Sequence, residues 1–263
     1  TSTHSERRFC TTPGKAKQLK MYEIPEGRRA TKGKSVMNFL QLSAEEKVTS
    51  IVALSKDAKA MSPYLLLVTK KGVTKKMASE SFKDVRRSGL IAIRLDSGDE
   101  LHSANFLDKS DEVIIATKMG QSIRFKEADV REMGRGAGGA RGIKLVKASD
   151  NIVGVGIIKK SDKDISFMVI SENGLGKRSE IEEYKTQGRG GSGVKTFKIT
   201  PKTGNVVAAG IVTEEQSELI AMSKKGQVIR VEIDAVPVQS RSTQGVKIMR
   251  PREGDSVASV TFL

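Results

Sequence analysis

Short apolar runs recur along the chain in groups of four. In one group, Glu112–Thr117 is an apolar, β-branched run, Gln121–Phe125 alternates, Ile143–Val146 follows a glycine-rich loop and Ile152–Ile158 closes the group. The last group repeats this as Glu218–Ser223, Gln227–Ile233, Val246–Met249 and Val257–Phe262. Runs of four to eight residues, β-branched or alternating and bounded by glycine-rich turns, predict strands. The loop between the second and third runs is the longest, and Glu127–Glu132 is expected to form a helical turn within it. No apolar run approaches the roughly 18 residues of a membrane span.

Three landmarks give these groups a register. The first is [S/T]-x-x-G, at Thr11/Gly14, Thr69/Gly72, Thr117/Gly120, Ser171/Gly174 and Ser223/Gly226, followed four residues later by Gln18, Lys76, Arg124, Arg178 or Arg230. In the last copy Lys224-Lys225-Gly226 reads as a tight hairpin. The second landmark is a glycine opening the third run: Gly33, Gly89, Gly142, Gly193 and Gly245. The third is a polar residue before the last run, Glu46, Asp99, Asp150, Asn205 or Asp255; of these, Asp99, Asp150 and Asp255 are expected to accept backbone hydrogen bonds at that turn. A unit of about 40–50 residues with four strands is the size of a propeller blade. The expected fold is therefore all-β, a closed or nearly closed propeller-like disc of five or six four-stranded blades. The expected units are 1–56, 57–108, 109–160, 161–213 and 214–263, in one repeat domain. Only ten residues precede Thr11, so the chain is expected to begin just after a missing repeat.

Charge changes the picture from architecture to partner. Lys and Arg number 46 against 31 Asp and Glu, a formal charge of +15. That excess predicts an extended anionic partner, nucleic acid before an anionic membrane surface. Trp is absent and aromatics are 4%; single-strand binders present stacking aromatics, so a double-stranded nucleic acid is the expected ligand. Cys10 is the only cysteine, so no disulfide framework exists and a reducing cytoplasm fits. The opening T-S-T-H-S-E-R-R carries no signal-peptide apolar region. Enzyme chemistry finds no foothold. Gly134, Gly136 and Gly139 match G-x-G-x-x-G, but a dinucleotide site needs a strand before it and a helix after it, whereas Asp129–Met133 precedes, a strand-like I-K-L-V follows and Arg135 and Arg141 flank the glycines. His4 and His102 are the only histidines, too few with one cysteine for a zinc set, and neither lies in a repeat landmark, so a Ser-His-Asp arrangement has no support. Asp162 and Asp164 read as a solvated turn. No cofactor is expected.

The basic residues recur by position. Candidate DNA-binding residues are Arg28, Arg29, Lys32 and Lys34 in the first repeat, and Lys76, Arg86, Arg87 and Arg94 in the second. The third contributes Arg124, Arg135, Arg141 and Lys144. The fourth contributes Lys177, Arg178, Gln187, Arg189, Gly190, Gly191, Gly193 and Lys195, and the fifth Arg230, Arg241 and Lys247. One basic loop per blade puts charge around one rim. DNA carries one charge per about 1.7 Å of axis, so regularly spaced cations can follow it through a bend. Glycines beside the arginines leave room for backbone N–H groups to reach phosphate. Within Gln187–Gly193, a valine at Gly191 is expected to be worse tolerated than a serine at Gly188. With no base-reading element visible, binding is expected to be non-specific.

The repeat pattern, the segment Tyr22-Glu23-Ile24-Pro25 leading to Arg29, Gly33, Asn38 and Leu40, and the loop Gln187–Gly193 resemble the C-terminal domain of the DNA gyrase A subunit. The resemblance covers essentially the whole chain. It implies a β-pinwheel whose blades exchange strands with their neighbours, and which wraps duplex DNA so that strand passage yields negative supercoils. It also implies partners in the B subunit and in the rest of the A subunit, no catalysis by the domain itself, a monomeric isolated domain and a cytoplasmic, nucleoid-associated protein. Against that family's signature Q-[R/K]-R-G-G-[R/K]-G, Gln187, Arg189, Gly190, Gly191 and Gly193 match, whereas Gly188 and Ser192 replace basic positions. That signature belongs to the family's first blade, so it is expected upstream of this chain. The alternatives are the related domain of topoisomerase IV, with weaker wrapping, and a propeller-like protein-interaction scaffold.

Overall fold

The computed structural model describes residues 6–27, 33–54, 62–82, 85 and 88–263. Among them, regular structure is almost entirely strand, interrupted by single helical turns. The first repeat forms β1 (Glu6–Thr11), β2 (Lys15–Lys20) and β3 (Val48–Leu54), and the second forms β4 (Tyr64–Thr69), β5 (Val73–Ala78), β6 (Leu90–Ile91) and β7 (Leu101–Leu107). The third has β8 (Glu112–Thr117), β9 (Gln121–Lys126), β10 (Ala140–Arg141) and β11 (Ile152–Ile158). The fourth has β12 (Ser166–Ser171), β13 (Leu175–Glu180), β14 (Val194–Lys195) and β15 (Val206–Val212). The fifth ends the series with β16 (Glu218–Ser223), β17 (Val228–Glu232), β18 (Val246–Lys247) and β19 (Val257–Phe262). The chain divides into two compact units, Thr1–Lys109 with Val130–Ala140, and Ser110–Asp129 with Arg141–Leu263.

The first landmark builds the hairpin of each repeat. The glycine N–H donates to the Ser or Thr carbonyl three residues back, as from Gly120 to Thr117 (3.0 Å) and from Gly174 to Ser171 (2.9 Å). The hydroxyl closes the same turn: Thr69 Oγ1 and Ser223 Oγ accept from Val73 N–H and Gln227 N–H, and Ser171 Oγ donates to Leu175 O. The third landmark caps the turn from the opposite strand. Asp99, Asp150 and Asp255 each accept through Oδ1 from the N–H of Lys71, Met119 or Lys225, and also from the N–H of the residue following the aspartate. The acids are structural, as their position before the last strand predicts.

Each repeat's first strand lies in mid-sheet, and in the second, third and fourth repeats it is buried on both faces. This explains why it reads as a continuous apolar run rather than an alternating one. Leu65, Leu66, Leu67 and Val68, then Val113, Ile114 and Ile115, then Phe167, Met168, Val169 and Ile170 are all buried. In the first unit the core gathers Cys10, Val52, Leu67, Met77, Phe82, Ile93 and Leu101. In the second, one cluster centres on Phe167, Tyr184 and Phe197, and another on Met168, Leu219, Ile233 and Met249. Phe167 and Tyr184 meet edge-to-face at 5.4 Å, a contact worth about 0.5–1.5 kcal/mol beyond burial.

The short third strands do not stay in their own repeats. The sheet orders are β3-β1-β2-β6, β10-β5-β4-β7, β14-β9-β8-β11-β15-β12-β13-β18 and β17-β16-β19. Thus β6 completes the edge of β2, β10 that of β5, β14 that of β9 and β18 that of β13: each repeat lends a strand to the one before it. The segment 130–140 accordingly belongs with the first unit although its sequence neighbours belong to the second.

This exchange corrects the reading of the third repeat. Its two-residue strand is Ala140–Arg141, following Gly139, whereas Ile143–Val146 is not a strand and Val146 is exposed. The helical turn is also shorter than expected, Glu127–Asp129. The physical marker is backbone conformation: Gly89, Gly139, Gly193 and Gly245 all have positive φ, between 70° and 90°. At Gly193 a Cβ would collide with Ser122 O on the strand being completed. Gly191 and Gly188 meet no such carbonyl and have ordinary φ, so the strained positions of this loop are Gly190 and Gly193, on either side of Gly191.

Two outcomes follow. Gly193→Ala is expected to cost at least about 1–2 kcal/mol from the left-handed conformation alone, with further loss from displacement of Ser122. Gly191→Ala should be near neutral, and thermal unfolding of the two variants compares them. The buried Cys10 thiol is pushed up to about 12 by desolvation. It should resist a thiol-specific disulfide reagent at pH 8 in the folded chain and react promptly in guanidinium.

Candidate nucleic-acid interface

Placing the second landmark at Gly139 brings the charges into register. Four residues before the positive-φ glycine stand Arg135, Arg189 and Arg241, and two residues after it stand Arg141, Lys195 and Lys247. The second repeat breaks the pattern with Val85 and Ile91 at those two places. Arg135, Arg141, Lys195 and Lys247 are exposed, as are Lys34, Arg94 and Lys144. Arg28, Arg29, Lys32, Arg86 and Arg87 lie outside the described residues.

The arginine before the glycine is tethered by its own guanidinium. Arg189 Nε donates to Asp129 O (2.7 Å) and Nη1 to Arg141 O (3.0 Å). Arg241 Nη1 donates to Lys195 O (3.0 Å). Arg141 and Lys195 occupy equivalent places in β10 and β14, so each arginine grips the backbone beneath the preceding repeat's exposed cation. A guanidinium has five donors, and the half-buried Arg189 and Arg241 keep the remainder for other acceptors. The loop Gln187–Gly193 is laid down by backbone bonds: Gln187 N–H to Arg124 O (2.8 Å), Gly190 N–H to Gly142 O (2.6 Å) and Lys144 N–H to Gly191 O (2.8 Å). Tyr184, buried at the start of that loop, shares a 2.7 Å hydrogen bond with Thr196 beyond its end. Gly190 and Gly193 have positive φ, 85° and 70°.

The basic residues four after the hairpin glycine do something else. Arg124 Nε donates to Glu112 (2.6 Å), and its Nη1 reaches Ile181 O (2.8 Å) and Tyr184 O (3.2 Å), the helical turn of the next repeat. Arg178 repeats this with Val236 O (2.8 Å) and Asp234 (3.3 Å). In the first repeat, where Gln18 replaces the basic residue, its cross-strand partner Arg8 donates to Phe82 O at 2.8 Å. Lys76 is buried with its ammonium 4.7 Å from the Tyr64 ring centroid. Arg230 is exposed and pairs with Glu218. Arg8, Arg124 and Arg178 thus latch one repeat to the next.

Lys177 is fully buried, and the position it occupies, three after the hairpin glycine, holds a residue that sequence reasoning missed, the equally buried Lys75. The signal was available: Lys17, Lys75 and Lys177 share that register, with Ile123 and Ile229 in the other repeats. Desolvation pushes both Lys75 and Lys177 down to about 8; near Lys177, Glu183 pulls the other way and Arg241 adds to the lowering.

No group of three or more His, Cys, Asp and Glu that could hold a metal lies among the described residues, and none of their helices is long and apolar enough to cross a membrane.

The family model described as "DNA gyrase C-terminal domain, beta-propeller" matches residues 9–55, 63–108, 111–159, 166–213 and 217–262. The DNA gyrase A subunit of Chlamydia muridarum is 37% identical over 264 residues, covering 100% of this chain and 31% of the relative. That of Staphylococcus epidermidis is 34% identical over 259 residues, 98% of this chain and 29% of the relative. The chain therefore spans about a third of the length of the curated relatives it matches. A solved gyrase A C-terminal domain aligns with TM-score 0.82 and 29% identity over 100% of this chain and 84% of that one. The C-terminal domain of DNA topoisomerase IV aligns with TM-score 0.87 over 100% of this chain and 80% of that one, at 23% identity, a likeness of fold. With the exchanged strands and the in-register glycines, these matches establish that the chain belongs to the DNA gyrase C-terminal domain family, an all-β, pinwheel-type propeller fold.

Proposed function

We propose that this chain binds duplex DNA without sequence preference and bends it along its successive basic loops, as the accessory C-terminal domain of a gyrase A subunit. The observation that supports this reading is the shared register of Arg135/Arg141, Arg189/Lys195 and Arg241/Lys247 around glycines that the fold requires. A surface made basic for solubility alone has no reason to repeat in step with the strand exchange. The contacts assigned to phosphate are the exposed cations Lys34, Arg94, Arg135, Arg141, Lys144, Lys195 and Lys247, with the half-buried Arg189 and Arg241 contributing their remaining donors. Gln187, Gly190, Gly191 and Gly193 shape the loop rather than carry charge. Arg29 and its neighbours, Arg86 and Arg87 join this set on sequence grounds.

Bending 20–30 base pairs by 40–90° costs roughly 1–6 kcal/mol, which several phosphate contacts together offset. On this reading the domain has no catalytic group; strand cleavage and ATP hydrolysis belong to the B subunit and to the rest of the A subunit. Its contribution to negative supercoiling is to present a bent DNA segment to them, in the cytoplasm.

Duplex binding titrated against salt tests the reading. The chain should show a steep negative slope of log K against log salt, equal for unrelated sequences. Arg141→Gln, Lys195→Gln and Lys247→Gln together should flatten it by about three, at roughly 0.9 for each phosphate no longer neutralised. A slope near zero in the unaltered chain would identify a protein-interaction scaffold instead.

A further inference from the structure

Two of the most deeply buried side chains are lysines, and each ammonium ends in three acceptors. Lys177 Nζ donates to Ser179 Oγ (2.7 Å), Ser240 O (2.7 Å) and Arg241 O (2.8 Å). Ser179 Oγ in turn donates to Gln239 O (2.7 Å), so it accepts, and cannot donate, toward the lysine. Lys75 Nζ donates to Ala92 O (2.7 Å), Arg135 O (2.7 Å) and Ala137 O (3.0 Å). Both sets of carbonyls draw on the arginine loop of the following repeat, Arg135–Gly139 or Gln239–Gly245. Neither lysine has a carboxylate at ion-pair distance among the described residues. Burying an unpaired ammonium is costly unless all its protons are used; here three acceptors meet three protons, a match that only the charged form provides.

We infer that Lys75 and Lys177 are positioning residues for DNA binding, internal cations that hold the backbone of two phosphate-contacting loops in place. The inference rests on the proposed DNA reading. The comparison within the fold favours it: under the Gln187–Gly193 loop the equivalent residue is the apolar Ile123, whose side chain lies against Gly191. That loop instead receives the Gly190 N–H to Gly142 O bond. All three arginine loops share backbone bonds to the preceding repeat, from Met133 N–H to Lys76 O, Gln187 N–H to Arg124 O and Gln239 N–H to Arg178 O, and two of them add a buried lysine beneath.

The titration of these groups gives a readout that plain structural loss would not. The charged neighbours facing Lys177 are Glu183, which accepts from Arg241 N–H (2.7 Å), and Arg241 itself, with the phenol of Tyr184 nearby. Around Lys75 no charged group offsets the desolvation. Both amines lose their proton near pH 8, against an ordinary value of 10.5. A neutral amine has two protons for three acceptors, two of them carbonyls of the arginine loop, so the loop's full set of bonds is no longer held. Between pH 8 and 10.5 the folded chain binds fewer protons at these sites than the unfolded chain, so their contribution to global stability rises with pH across that window. Loosened loops and undiminished stability should therefore occur together.

The test measures three things on the full chain from pH 7 to 9: duplex affinity with its salt slope, backbone amide protection over 135–139 and 239–245, and thermal midpoint. The unaltered chain should lose affinity and loop protection, corrected for intrinsic exchange, with a midpoint near pH 8 while the thermal midpoint does not fall. Lys75→Met with Lys177→Met should bind about tenfold more weakly at pH 7, lower the salt slope by about two, one phosphate per freed loop, and show no pH midpoint. If that variant fails to fold, the profile of the unaltered chain decides. Affinity and loop protection that stay flat through pH 8, or a double variant that binds like the unaltered chain, overturns the positioning role and leaves the DNA reading intact. An unaltered chain that binds no duplex overturns both.

Discussion

The structure depends on one unfinished edge. The second strand of each hairpin exposes a row of backbone donors and acceptors, and a two-residue strand from the next repeat completes it in four of the five repeats. An exposed edge is a liability that repeat folds must cover, and here the cover comes from the neighbour. The chain can reach that edge only by passing close over a backbone carbonyl at positive φ, which fixes a glycine at Gly139, Gly193 and Gly245. The residues that flank those glycines are therefore held at equivalent places in those three repeats. Regular spacing of charge is a by-product of regular covering of edges.

The basic residues divide into three kinds with distinct physics. Arg8, Arg124 and Arg178 spend their guanidinium groups on carbonyls of the next repeat's helical turn. Lys75 and Lys177 are buried under arginine loops, each satisfied by three oxygens. Arg135, Arg141, Lys144, Lys195 and Lys247 face solvent. The formal charge of +15 thus overstates the surface available to an anion. It also explains how a chain with so many cations builds compact units, since several act as donors inside the repeats rather than as mutually repelling charges outside them.

Much of the architecture is legible from residue pattern. The hairpin landmark, the capping aspartates and three of the four strands in the third repeat stand where the sequence places them, because each is encoded locally by a turn hydroxyl, a turn glycine or a β-branched run. The third strand does not fall at Ile143–Val146 because it is only two residues long and is defined by pairing with another repeat, a non-local fact. Gly142 and Gly139 look alike in sequence; Gly139 is marked by its positive φ and by the approach to Thr74 O, 2.8 Å from a Cβ built there. The basic residues are recognisable as recurrent, but the sequence does not say which way a side chain points. Lys76, Lys177, Arg124 and Arg178 group with exposed cations in the sequence for that reason. Lys75 escapes notice because a lysine inside a strand reads as a polar face until three carbonyls are seen around it.

The central claim is that successive loops in register bend duplex DNA in one sense. The direct measurement is the linking number of a nicked or relaxable DNA circle, bound by the full chain and closed or relaxed by an unrelated topoisomerase. The account predicts a positive shift that grows with the amount of protein bound and shrinks as salt rises. Saturating binding with an unchanged linking number would contradict it, leaving a protein that holds DNA without wrapping it.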